Sequence, residues 1–112
     1  MADRQLLGEV EQLVLLAILR IGSGAYAVPI REKLRQDGGV SLSRGTIYVT
    51  LDRLERKGYV RSAFADPTPE PGGKARRIFT IERAGLAALR GAQQMHDRLR
   101  AGTPLEHKGN RP

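Results

Sequence analysis

The chain has 112 residues, room for one domain, and with 40% hydrophobic but only 4% aromatic residues its core must be mostly aliphatic. Nineteen Lys and Arg against 12 Asp and Glu give a net charge of +7, a surplus that suits a polyanionic partner, nucleic acid being the commonest. The absence of cysteine excludes disulfides, thiolate metal sites and cysteine nucleophiles.

The charge is unevenly shared: residues 1–39 are neutral, residues 40–83 carry +4 and residues 84–112 carry +3. A neutral first third followed by a basic remainder is the pattern of a scaffold with a binding surface built onto it. The longest apolar run, Leu13 to Leu19, is far short of the ~20 residues that span a bilayer. The N-terminal MADRQLLGEVEQ carries acids where a secretory signal has its apolar stretch. The expectation is a soluble cytoplasmic protein with no membrane partner.

Residues 8–20 read as a helix with acids in its first turn, where they complement the dipole. From Val10 it is apolar on nearly every side, which predicts burial on more than one face, against its own core and against a second subunit. Glycines 22 and 24 end it. A second helix spans Val28 to Gln36, with Pro29 in its first turn and Ile30 and Leu34 paired at i, i+4.

The third helix is the best delimited. Ser43 is placed to cap the backbone N–H of Thr46, and Gly58 follows Arg56-Lys57 at the other end. Ile47, Leu51 and Leu54 recur at i, i+4, i+7 and must face the core. The opposite face then carries Thr46, Val49, Asp52, Arg53 and Arg56, with Tyr48 and Thr50 on the flanks.

After Gly58 the period changes from 3.6 to 2, predicting a strand with Val60 and Phe64 on one face. Residues 66–75 (DPTPEPGGKA) hold three prolines and two glycines, and RRIFTI (76–81) reads as the returning strand, with Ile78, Phe79 and Ile81 available to the core. The result is a hairpin with an extended tip carrying Lys74, Arg76 and Arg77. A last helix runs from Arg83 to about Arg100. It has Leu86 and Leu89 as one apolar patch and Ala88, Ala92, Met95 and Leu99 as a stripe, while Gly85 and Gly91 weaken it. Residues 102–112 read as an unstructured tail.

Three helices, the last well capped, followed by a hairpin make a winged helix-turn-helix. In that arrangement the third helix enters the DNA major groove and the hairpin tip touches backbone or minor groove. The expected fold class is therefore mainly α with a small β-hairpin: a winged helix-turn-helix domain over 6–82 and a C-terminal dimerisation helix over 83–101. Candidate DNA-facing residues are Ser43, Arg44, Thr46, Tyr48, Thr50, Arg53 and Lys57 on the third helix and Lys74, Arg76 and Arg77 on the wing. Arginine can address guanine with two hydrogen bonds, and both cations neutralise phosphate. Arg44 stands in a first turn, where a cation opposes the dipole and so suggests a ligand role.

The sequence resembles the PadR family of bacterial transcriptional regulators. The resemblance lies in Leu15-Leu16-Ala17-Ile18-Leu19, in Tyr26 with Ile30, in GTIYVTLDRLERKGYV (45–60), and in Gly72-Gly73, Arg76-Arg77 and Phe79 through Gly85. It covers roughly residues 6–90, and its most specific part is the stretch 45–60. The resemblance implies a homodimer built by the C-terminal helix against the partner's first helix, here in the shorter form with one C-terminal helix. Leu86, Leu89, Ala92, Met95 and Leu99 are the expected interface residues. It also implies a phosphate contact by the Tyr48 hydroxyl. Some members take an aromatic effector at the dimer interface; the lack of Trp and the Ala-rich C-terminal positions give such a pocket little support here. Four positions depart from the family pattern: Ala27, Val49, Phe79 and Glu82 stand where Gly, Pro, Tyr and Thr are usual.

His96 and His107 have no partners at metal-ligand spacing, and no nucleophile is paired with a base, so neither cofactor, metal nor catalysis is expected. The expected function is a dimeric, sequence-specific DNA-binding regulator, a repressor, with a pseudo-palindromic operator on double-stranded DNA. The rival readings are a winged-helix protein-interaction module and an RNA-binding winged helix.

Overall fold

In the computed structural model, which describes residues 6–65 and 76–106, the chain folds as α1 (Glu9–Ile21), α2 (Ala27–Gly38), α3 (Arg44–Arg56), β1 (Val60–Phe64), β2 (Arg77–Ile81) and α4 (Arg83–Arg100). This is the mainly helical winged architecture expected, four helices with a two-stranded antiparallel hairpin.

The core is aliphatic apart from one ring. Val14, Leu15 and Ile18 of α1, Ile30 of α2, Ile47, Leu51 and Leu54 of α3, Val60 of β1 and Phe79 of β2 are fully buried. α1 lies at the centre and packs on α2, α3 and β2. Its start is capped by its own acid: the Glu11 carboxylate accepts the Gly8 backbone N–H at 2.7 Å. Ser43 caps α3 as expected, its Oγ accepting from the Thr46 N–H at 3.0 Å. Gly58, at φ +80°, turns the chain from α3 into β1, a left-handed conformation that favours glycine.

The hairpin pairs Val60 with Ile81, Ser62 with Phe79 and Phe64 with Arg77, so these six side chains share one face. Burial on that face falls off towards the tip. Val60 and Phe64 share a face as expected, but Val60 is 2% exposed and Phe64 72% exposed. The core ends before the strand does. Phe79 N–H also donates to the Ala25 carbonyl at 2.7 Å, adding a one-residue bridge that ties the α1–α2 connection to the sheet.

α4 joins the body through an inner stripe of Gly85, Leu89 and Ala92, all buried. A Cβ on Gly85 would stand 2.1 Å from the Tyr59 carbonyl oxygen, so this glycine permits the close approach of α4 to the start of the hairpin. Its effect is the reverse of the weakening expected from helix propensity alone. Of the tail expected over 102–112, residues 102–106 form turns, with Thr103 N–H donating to Arg100 O and Glu106 N–H to Thr103 O, both at 3.0 Å, and residues 107–112 lie outside the described residues.

Candidate nucleic-acid interface

α3 is divided lengthwise. Ile47, Leu51 and Leu54 anchor one side in the core with no exposure, which fixes the helix rigidly. The other side presents Thr46, Val49, Arg53 and Arg56 to solvent, and Arg44 is exposed in the first turn, on the side towards α2. The side chains of Arg44, Arg53 and Arg56 make no hydrogen bond or ion pair among the described residues. Tyr48 is 43% exposed and Val49 55% exposed, so a half-covered phenol and a bare branched aliphatic flank the cations. Such a surface offers guanidinium forks for base edges or phosphates, and an apolar group suited to a thymine methyl.

Three of the expected contact residues are used inside the fold. Thr50 is buried and its hydroxyl donates to the Thr46 carbonyl at 2.7 Å, so it does not face a groove. At 100° per residue it lies beside the Ile47–Leu51–Leu54 stripe, and a wider apolar stripe includes it. Lys57 is bound at 2.8 Å to Glu11, whose carboxylate is almost wholly buried. Burial alone would push the Glu11 carboxyl up. Its bonds from Lys57 and the Gly8 N–H, with the charges of Lys57 and Arg53, outweigh that and hold it below its ordinary value. Thr46 and Ser43 stay exposed, their hydroxyls joined at 2.9 Å.

Arg77 is the third. Its Nε donates to Ser62 Oγ and its Nη1 to Asp52 Oδ1, both at 3.1 Å, its Nη2 donates to Glu55, and the guanidinium lies 5.0 Å from the centre of the Phe79 ring. This corrects its expected place as a free wing cation. Because side chains alternate along a strand, Arg77 shares the inward face of Phe79, two residues on. That parity is the signal that separates it from Arg76. Arg76 itself is exposed, with its guanidinium 5.1 Å from the centre of the Tyr26 ring. Lys74 lies outside the described residues.

The expected interface residues of α4 also divide. Leu89 and Ala92 are buried within the protomer's own fold, a correction to their assignment as dimer contacts. Leu86 and Met95 are half-buried, and Leu99 is 74% exposed. On α1, Leu16 and Leu19 are also open to solvent. A groove of about 580 Å³ runs between the two helices, lined by Leu7, Leu13, Leu16, Gln93, His96 and Arg100 among others. Among the described residues no helix is long and apolar enough to cross a membrane.

Comparison with curated proteins gives no match. Solved structures do resemble it. A transcriptional regulator from Clostridium thermocellum is 19% identical over 81% of this chain and 85% of its own, with a TM-score of 0.68. A PadR family transcriptional regulator from Eggerthella lenta is 23% identical, with 84% and 81% covered and a TM-score of 0.66. A PadR-like transcriptional regulator from Bacillus cereus is 22% identical, with 80% and 82% covered and a TM-score of 0.63. At these identities the likeness is one of fold. The family model for the transcriptional regulator PadR-like family matches residues 15–91, most of the chain, and the chain therefore belongs to this family of DNA-binding regulators.

Proposed function

We propose that the protein is a cytoplasmic homodimeric repressor that places α3 in the major groove of a pseudo-palindromic operator and its wing on the flanking backbone. One observation carries this reading. Two arginines, Arg53 and Arg56, stand on the side of α3 opposite the buried Ile47–Leu51–Leu54 anchor, and neither they nor the exposed Arg44 of the first turn make a side-chain hydrogen bond or ion pair among the described residues. Ser43, Thr46, Tyr48 and Arg76 complete the surface. Dimerisation through Leu86, Met95 and Leu99 against the exposed leucines of the partner's α1 would cover apolar surface that the protomer leaves open.

The test begins with selection of bound fragments from a random duplex library. Selected sites should be pseudo-palindromes with half-sites ~10 bp apart or a multiple, as a two-fold dimer requires. A single asymmetric half-site bound with full affinity overturns the symmetric dimer. Structured RNA competing as well as the selected duplex, at one salt concentration, favours an RNA-binding module instead. Placed over a promoter, the selected site should lower transcript when the protein is added; a rise makes the protein an activator.

A further inference from the structure

Two carboxylates stand on the recognition helix itself. Asp52 and Glu55 of α3 flank Arg53 and Arg56, with side chains 49% and 32% exposed. Unpaired, both would repel the phosphates that the neighbouring arginines attract. Arg77 binds both, from β2. All three of its guanidinium nitrogens are engaged, with Asp52, with Glu55 and with Ser62, whose hydroxyl in turn donates to Glu55 Oε2 at 2.8 Å. The plane of the group is further steadied over the Phe79 ring.

From this geometry we infer that Arg77 is a positioning residue. It pins the base of the wing to α3 and shields DNA phosphates from the Asp52 and Glu55 carboxylates, and it does not itself bind phosphate. The inference rests on the DNA-binding reading above. A phosphate could capture the Arg77 guanidinium only by leaving two carboxylates bare beside a polyanion, a rearrangement that costs more than one contact returns. The planar fork matters as well as the charge, because a lysine reaches one acceptor direction where this arginine serves three residues.

The experiment measures binding of the selected duplex across a salt series, well below the melting temperature of every variant, so that unfolding is not read as lost binding. Wild type comes first: failure to bind any duplex overturns the DNA reading, and this inference with it, before a variant is made. The variants are then R77A, R77K, D52N/E55Q and the triple R77A/D52N/E55Q. R77A should weaken binding by about tenfold, and R77K should weaken it too, since the fork is lost. In the D52N/E55Q background the same R77A change should cost no more than about twofold, because the carboxylates it shielded are gone. A merely structural role would lower the melting temperature without this rescue of affinity. The opposite result is equally definite. R77K binding like wild type, or R77A costing the same factor in both backgrounds with the salt slope lowered by about one unit, makes Arg77 a phosphate ligand and overturns the inference.

Discussion

Lys57 at the end of α3 and Glu11 in the first turn of α1 meet at 2.8 Å, 46 residues apart in sequence. The carboxylate also caps Gly8, so one buried acid joins the start of the first helix to the end of the third. Glu11 holds its proton less tightly folded than unfolded, since its pKa is lowered by the Lys57 and Gly8 bonds against the opposing effect of burial. A depressed carboxyl stabilises the fold above its unfolded pKa, near 4.3 for glutamate, and that stabilisation is lost as pH falls through the lower folded value. Glu11→Gln should therefore cost about 1–2 kcal/mol at pH 7, discounted because Lys57 is partly exposed. Thermal melts of both proteins at pH 7 and near pH 3 check it: the gap should narrow in acid, and an equal gap at both pH values refutes the ionic role.

Glycines 85 and 91 sit on the same helix and should answer alanine in opposite directions. At Gly85 the new methyl would meet the Tyr59 carbonyl oxygen, a backbone atom that cannot swing away, and α4 must shift from the hairpin. The expected loss is roughly 1–3 kcal/mol. At Gly91 nothing lies within 4 Å, and helix propensity predicts a gain of up to about 1 kcal/mol. Chemical denaturation of the two variants decides it. Loss at Gly91 as well would mean that a partner protomer packs on that point of α4.

Leu99 is the clean probe of assembly because it is 74% exposed, whereas Leu89 is 3% exposed and belongs to the core. Leu99→Glu should yield a folded monomer with an unchanged circular dichroism spectrum. Leu89→Glu should instead unfold the protomer by burying an unpaired charge. Sedimentation settles the first. A wild type already monomeric at micromolar concentration removes the dimer from the proposal.

Much of this was legible in the chain, for physical reasons that also explain the misses. Ile47, Leu51 and Leu54 show their helix because core-facing residues repeat with the helical period, and Ser43 shows its start because capping is local chemistry. Phe64 could not be placed in the same way. Alternation gives the face of a strand, but not how far the core extends beneath it. Arg77 and Gly85 depend on partners distant in sequence, Asp52 with Glu55 for the one and the Tyr59 carbonyl for the other. Parity with Phe79 points Arg77 inward, yet nothing local says that two acids wait there.

Arg53 and Arg76 should part specific from general binding. Arg53 rises from a helix locked by Leu51 and Leu54, so its guanidinium can hold a fixed geometry against a base edge. Arg53→Ala should cost about 1–3 kcal/mol, chiefly on the selected site, and relax preference at one base position. Arg76 stands at the margin of the wing, steadied by the Tyr26 ring but bonded to no acid by its side chain among the described residues. A cation so placed finds phosphate easily and reads bases poorly. Arg76→Ala should weaken selected and random duplex alike, with the slope of log affinity against log salt flattened by about one unit. Both variants are titrated against both duplexes over the same salt series. If Arg76→Ala alters base preference while Arg53→Ala lowers every affinity equally, the helix holds the backbone and the wing reads the sequence.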